Sequence, residues 1–232
     1  MTTTLITGAN KGLGYETARR LTACGHDVWI GARDEARGRA AADELGARFV
    51  QLDVTDDASV AAAVDTVAAA GGLDVLVNNA GIPTIRGMHG VGDTTVDDVR
   101  GVFEVNVFGV VRVTRAFLPL LERSAAPVIV NVSSGAGSMT RTSDPSRVES
   151  QIVNLAYSPS KAAMNMLTSQ LARAYPRIRI NAADPGYTAT DFNGHRGVQT
   201  VEEGTDAIVA LATVGRDGPT GTYVDRVGVV PW

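Results

Sequence analysis

Apolar residues recur along this chain in short unbroken runs, each followed by a longer stretch in which alanines and other apolar residues are interspersed with charged ones. The runs are Leu5-Ile6-Thr7, Val28-Trp29-Ile30, Phe49-Val50-Gln51-Leu52, Val75-Leu76-Val77, Val128-Ile129-Val130-Asn131-Val132 and Ile178-Arg179-Ile180-Asn181, with Thr222-Tyr223-Val224 a short last one. Near-continuous apolar runs of this length predict strands buried on both faces. The intervening stretches predict helices over Leu13–Cys24, Asp34–Leu45, from a cap at Thr55 or Asp56 to the Gly71-Gly72 pair, Thr94–Arg123, Tyr157–Ala174 and Thr200–Thr213. Asp and Thr satisfy the first free amides of a helix, and glycine ends one.

Strands alternating with helices of this length require right-handed crossovers and a parallel sheet covered on both faces. In such a sheet, ligands bind in the crevice outside the carboxyl ends of the strands. Two irregular stretches, Gly81–Thr94 and Ser134–Ala156, follow strands and should border that crevice. With no repeat, low-complexity tract or linker, one domain is expected over residues 1–232.

Composition narrows the function classes. A hydrophobic fraction of 44% with 20% charged residues describes a globular chain, and a net charge of −4 offers no general attraction to nucleic acid or an anionic membrane. Any anion must be held by local groups. No apolar run reaches the roughly 20 residues of a membrane span. The start, Met1-Thr2-Thr3-Thr4, lacks the basic region of a signal peptide. Cys24 is the only cysteine, which excludes an intrachain disulfide and suits a cytoplasmic location. His26, His89 and His195 are scattered, and no metal site is expected.

The first strand runs into Thr7-Gly8-Ala9-Asn10-Lys11-Gly12-Leu13-Gly14. Glycines between a strand and a helix permit a tight turn and let backbone amides approach a pyrophosphate at the positive end of the helix. Downstream, Tyr157 and Lys161 are four residues apart and share one helix face, and Pro159 places them in the first turn. A free tyrosine, with a pKa near ~10, is a poor base. A neighbouring ammonium is expected to lower that value. Such a pair can give a proton to a carbonyl oxygen or take one from an alcohol. Asn131-Val132-Ser133-Ser134-Gly135 ends the fifth strand with two candidate hydroxyls for the same oxygen. Asn106 is a poor residue for the middle of a helix and marks either a kink or a special role.

The spacing Gly-x-x-x-Gly-x-Gly, with Asn78-Asn79-Ala80-Gly81, Tyr157-Ser158-Pro159-Ser160-Lys161 and Asp184-Pro185-Gly186 in this order, resembles the classical short-chain dehydrogenase/reductase superfamily. The opening motif and the closing Val229-Val230-Pro231-Trp232 look similar to its carbonyl reductase-like members. The resemblance implies a Rossmann-type doubly wound α/β fold of about seven strands in the order 3-2-1-4-5-6-7. It implies a catalytic set of Asn106, Ser134, Tyr157 and Lys161, with Ser133 turned away and Asn106 holding a water that links Lys161 to solvent. The implied cofactor-binding residues are Gly8, Asn10, Lys11, Gly12, Leu13 and Gly14, with Asp53 and Val54 at the adenine. Asn79, Ala80 and Gly81 lie towards the ribose, Tyr157 and Lys161 at the nicotinamide side, and Pro185, Gly186, Thr188 and Thr190 border the nicotinamide.

The cofactor is expected to be NADP(H). An NAD enzyme offers a carboxylate at the end of the second strand, where this chain has Ala32 followed by Arg33. Arg33 and Lys11 are expected to converge on a 2′-phosphate. The substrate is expected to be a small ketone, aldehyde or quinone beside Ile82, Pro83, Ile85, Met139, Tyr187, Phe192 and Trp232. Monomer and homo-oligomer both stay open. The interval Gly135–Ala156 is longer than in many relatives, contains no long apolar run and is expected to lie on the surface as a local cover. A cofactor-binding sensor without catalysis is the alternative on this fold, and retention of all four catalytic residue types argues against it.

Overall fold

The structure is a computed structural model and describes residues 1–83 and 91–232; Ile85 and His89 lie outside the described residues. Among the described residues, seven strands form one sheet in the order β3-β2-β1-β4-β5-β6-β7. They are β1 (Thr3–Thr7), β2 (Asp27–Ala32), β3 (Arg48–Gln51), β4 (Val75–Asn78), β5 (Val128–Val132), β6 (Arg179–Ala183) and β7 (Tyr223–Val224), and each neighbouring pair is parallel. The helices are α1 (Gly12–Ala23), α2 (Glu35–Leu45), α3 (Asp57–Ala69), α4 (Val96–Phe103), α5 (Gly109–Leu121), α6 (Met139–Thr142), α7 (Tyr157–Ala174), α8 (Val201–Gly204) and α9 (Asp206–Ala212). No helix among the described residues is long and apolar enough to cross a membrane.

Side chains on a strand point to opposite faces in turn, and the core divides accordingly. Leu5, Leu76, Ile129 and Ile180 join Val60, Val67, Phe117 and Leu121 under α3 and α5. Ile6, Val77 and Val130 join Leu21, Ile208 and Leu211 under α1 and α9. Caps follow the expected chemistry: Asp34 accepts from the Arg37 amide at 3.0 Å, and Asp56, rather than Thr55, accepts from Ala58 and Ser59 at 2.8 and 3.3 Å.

Two expected helices are not continuous. The Thr94–Arg123 stretch is interrupted by a π-helical turn at Glu104–Phe108, which separates α4 from α5 and contains Asn106. A widened turn re-aims one side chain inward, and the fully buried Asn106 is that residue. Thr200–Thr213 breaks at Thr205 into α8 and α9. Its fully buried hydroxyl donates back to the Glu202 carbonyl at 2.9 Å and accepts from Arg20 at 2.8 Å.

A buried polar chain ties sheet to helices. The register sets Asn78 beside Asn131. Asn78 Nδ2 donates to Asn131 Oδ1 at 2.8 Å and to Thr114 on α5 at 3.0 Å, while Asn131 Nδ2 donates to Thr168 on α7 at 2.8 Å. All four side chains are buried, so each bond lost leaves a group that water cannot reach. Asn131→Ala is expected to lower unfolding stability by about 1–3 kcal/mol, read as a shift in the urea midpoint. A shift worth under about 0.5 kcal/mol would show that the chain of amides contributes little.

Candidate active site

The strand order reverses between β1 and β4, and there the two strand ends part to make a crevice. The gap is held at a fixed width. Thr7 Oγ1 accepts from the amides of Asn79 and Ala80, both at 3.0 Å, and Asn79 Nδ2 donates to the carbonyls of Thr7 and Gly8 at 2.9 and 3.2 Å. Glycine is required at two points of this clasp. Gly8 has φ +65° with Ala80 3.0 Å from where a Cβ would lie, and at Gly14 a Cβ would stand 2.5 Å from Asn79 Nδ2. The side chain before α1 is Lys11, which supplies no capping acceptor, and the first turn carries no acid. The helix therefore presents its amides to an outside anion.

The remaining cofactor candidates line this gap and its neighbours. Asn10 lies in the turn between β1 and α1. Asp53 spends Oδ1 on Thr55, at 2.9 Å from its amide and 2.7 Å from its hydroxyl, and Val54 is buried. Gly81 lies between catalytic candidates: a Cβ there would be 3.3 Å from Asn106 Oδ1 and 3.7 Å from Lys161 Nζ. After β6, Thr188 is buried and donates to the Pro185 carbonyl at 2.8 Å, and Thr190 Cγ2 approaches Gly12. Ala32 is buried and Arg33 exposed, with no ion pair to Arg33 among the described residues. The Lys11 ammonium pairs with Asp191 at 2.9 Å in an exposed contact. Asp191 is held below the usual carboxylate range by hydrogen bonds from Lys11 and His195.

The catalytic candidates meet at the carboxyl end of β5 and the start of α7. Asn154 Oδ1 accepts from the Ser158 amide at 2.9 Å and stands in for a cap, so that α7 begins at Tyr157 itself. Ser134 stands where its hydroxyl favours the Tyr157 phenolate, whereas Ser133 turns away and donates to Asn165 at 2.6 Å. Tyr223 fixes the serine from behind, donating to the Ser134 carbonyl at 2.5 Å. Lys161 Nζ donates to the Val132 carbonyl at 2.8 Å and lies 5.8 Å from the centre of the Tyr157 ring. Asn106 spends its amide on the Ile82 backbone, both bonds 2.9 Å, and on Ser160 at 3.0 Å; Ser160 in turn donates to the Tyr157 carbonyl at 2.6 Å.

The electrostatics differ from expectation. Tyr157 is pushed up to about 12, because burial of its phenol outweighs the Ser134 hydrogen bond that favours the phenolate. The ammonium was expected to lower it. Instead burial acts on Lys161 too and brings it down to about 8. The site thus holds a tyrosine that keeps its proton beside a lysine able to lose one.

Of the apolar lining candidates, Phe192 reaches the site, its ring 5.6 Å from that of Tyr157, and Ile82 is held against Asn106. Pro83 follows it, while Tyr187 and Met139 are exposed. Trp232 stacks on Tyr223 at 5.4 Å. Two cavities lie elsewhere, about 470 Å³ between α3 and α5 and about 740 Å³ at the amino-terminal edge of β5 and β6, and neither includes a catalytic candidate.

Much of the Gly135–Ala156 interval is exposed, as expected, and it is anchored at buried points. Ser138 is fully buried and donates to the Pro231 carbonyl at 2.5 Å, and Glu149 is buried. Arg141, only 11% exposed, pairs with Asp184 at 2.8 Å and with Asp225 at 2.6 Å. Ion pairs fix this segment where its sequence has no apolar run to do so. Asp184 is the residue that sequence reasoning passed over as part of a loop motif. A carboxylate straight after the buried Ala182-Ala183 needs a cation, and that was the available signal.

The family model for short chain dehydrogenase matches residues 2–200. Short-chain dehydrogenase/reductase 1 of Saponaria officinalis is 35% identical, the alignment covering 98% of this chain and 95% of the relative. (+)-Neomenthol dehydrogenase of Capsicum annuum is 32% identical over 96% of this chain and 95% of its own. The Saponaria alignment spans 287 positions, more than the 232 residues here, so that relative carries segments this chain lacks. The NADPH-bound carbonyl reductase from chicken fatty liver superposes with a TM-score of 0.86 at 29% identity, covering 100% of this chain and 99% of that one. Fold, motif order and these likenesses agree that the chain belongs to the classical short-chain dehydrogenase/reductase family.

Proposed function

We propose that this chain exchanges hydride between NADP(H) and a carbonyl/alcohol pair, acting as a reductase of a ketone, aldehyde or quinone of modest polarity. The observation that carries the reading is the convergence of Ser134, Tyr157 and Lys161 at the same sheet end as the glycine loop. That loop fits a dinucleotide: side chains would fill the cradle at Gly8 and Gly14, and the α1 amides lack a capping acceptor. When bound, the nicotinamide supplies or receives the hydride. Tyr157 donates its proton to the carbonyl oxygen, Ser134 hydrogen-bonds that oxygen, and the Lys161 ammonium stabilises the phenolate left behind. A tyrosine with its pKa near 12 is in the donating form at neutral pH. Phe192 and Ile82 supply the apolar walls, consistent with a substrate of few charges. We read the whole chain as one catalytic unit for small molecules.

The cofactor preference follows from Ala32 and Arg33. The second strand ends in Ala32 rather than a carboxylate, and the exposed Arg33 guanidinium, without an ion-pair partner among the described residues, is a ready fork for a 2′-phosphate. Lys11 lies in an exposed pair with Asp191, and Arg33 is the cation whose removal tests the preference.

A panel of ketones, aldehydes and quinones, followed by oxidation of NADPH, tests the reading. Tight NADPH binding with no turnover of any of them would favour the sensor. Tyr157→Phe is expected to lower kcat by about 10²–10⁴-fold while the NADPH Kd measured by fluorescence titration stays near that of the parent. Carbonyl reduction should decline above about pH 8, where Lys161 loses its charge; a rate that stays flat well into the alkaline range would show that this charge is not needed. Arg33→Ala should weaken NADPH roughly ten- to a hundredfold and leave NADH unchanged, a charge-assisted pair being worth about 1.5–3 kcal/mol. Equal losses for both cofactors would place the selectivity elsewhere.

A further inference from the structure

The catalytic mechanism does not use Arg141, although the structure builds a buried cluster around it. Its Nη1 lies 2.8 Å from Asp184 Oδ2 and 3.6 Å from Glu149 Oε1, and its Nη2 lies 2.6 Å from Asp225 Oδ2. Glu149 is held in turn by Arg147 at 3.0 Å, and Asp225 Oδ1 accepts from the amides of Val227 and Gly228 at 2.8 and 3.0 Å. Asp184, 2% exposed, is the innermost acid. Its Oδ1 accepts from the Gly186 amide at 2.9 Å, and the carboxylate also takes the Gly135 amide.

Those two amides belong to the two turns that matter most. Gly135 follows Ser134, and Gly186 opens the turn that leads through Thr188 to Phe192, the ring against Tyr157. The approach is close: a Cβ on Gly135 would lie 2.7 Å from Glu149 Oε1 and 3.0 Å from Asp184 Oδ2. One carboxylate therefore clamps the serine turn and the turn after β6 together, and one guanidinium from the Gly135–Ala156 interval keeps it charged. We propose that Arg141 is a positioning residue for the active centre, acting through Asp184, which fixes Ser134 and the Gly186 turn relative to Tyr157. The proposal rests on the reading of Ser134, Tyr157 and Lys161 as the catalytic set.

The physical cause is the difficulty of a lone buried charge. Burial pushes the Asp184 carboxyl up, and Arg141 with the two glycine amides holds it down. Without Arg141 the carboxylate is left as an unscreened charge next to the catalytic pair, its position no longer fixed by the guanidinium. The charged and titratable groups around Asp184 are Arg141 on α6, Glu149 after it, Asp225 and Tyr223 at β7, and Tyr157 and Lys161 on α7. The negative charge of Asp184 raises both Tyr157 and Lys161, so loss of its screen moves their titration to higher pH.

The test compares kcat, KM and the alkaline limb of carbonyl reduction in the parent, Arg141→Met, Arg141→Lys and the double variant Arg141→Met/Asp184→Asn. Arg141→Met is expected to lower kcat between about tenfold and a hundredfold, with carbonyl KM changed little, and to move the alkaline limb upward. Adding Asp184→Asn removes the unscreened charge and should return the limb, while kcat stays low, because the amide has one oxygen for two glycine amides. If Arg141→Met does not fold, Arg141→Lys, which keeps one ion pair, must show the same upward shift with a smaller loss. An unchanged kcat and limb in Arg141→Lys and Arg141→Met, or a limb that stays raised in the double variant, would overturn the proposal. A parent protein that reduces no carbonyl would sink the catalytic reading instead, which keeps the two failures apart.

Discussion

Everything in this site depends on how β1 and β4 are allowed to part. Parallel neighbours share a full ladder along their length, but at the reversal of strand order their ends lead to helices on opposite faces. The opened backbone groups must find partners, because a buried amide without one costs a large part of a domain's small net stability. Thr7 and Asn79 supply them from side chains, bonding Asn79 and Ala80 amides on one side and Thr7 and Gly8 carbonyls on the other. The crevice is thus a satisfied structure of fixed width. Gly8 and Gly14 are glycines because this clasp leaves no room for more.

The same economy of partners shapes the chemistry. Of the polar side chains at the carboxyl end of the sheet, Lys161 and Asn106 are buried and held by the backbone of Val132 and Ile82, while the half-buried Ser134 is fixed through its own carbonyl by the Tyr223 hydroxyl. Burial then decides the protonation states. It raises Tyr157 and lowers Lys161, overriding the simple pairing of phenol and ammonium. What results is a proton donor next to a cation whose charge is conditional on pH. Asp184 is a further buried charge, and its partner comes from a segment that follows Ser134 in sequence.

Much of this was legible from residues alone, for particular reasons. The apolar runs mark all seven strands because parallel strands are buried on both faces, leaving no polar alternation to confuse them. Pro159 and Lys161 fixed the start and the face of α7 through local geometry. The π turn at Asn106 was visible only as an ill-placed asparagine, since the pull that widens the turn comes from Ile82, distant in sequence. The break at Thr205 depends likewise on a reach from Arg20. The partners of Lys11 and of Arg141 in the Gly135–Ala156 interval were not legible for one shared reason: a charged side chain does not announce its partner. Asp191 and Asp184 lie 180 and 43 residues from the cations that they bind.

The central claim is that this crevice brings a reduced nicotinamide and a carbonyl carbon together, with Tyr157 completing the reaction from the other side of the bond. Isotope transfer tests it without reliance on the identity of the natural substrate. The protein is incubated with NADPH carrying deuterium on the transferable position of C4, together with a carbonyl compound that it consumes, and the alcohol is analysed by mass spectrometry. The account predicts an alcohol with one deuterium on the former carbonyl carbon, formed at least about a hundredfold more slowly when Tyr157 is replaced by Phe. An alcohol free of deuterium, or labelled alcohol formed at the same rate by the Tyr157→Phe protein, would contradict it.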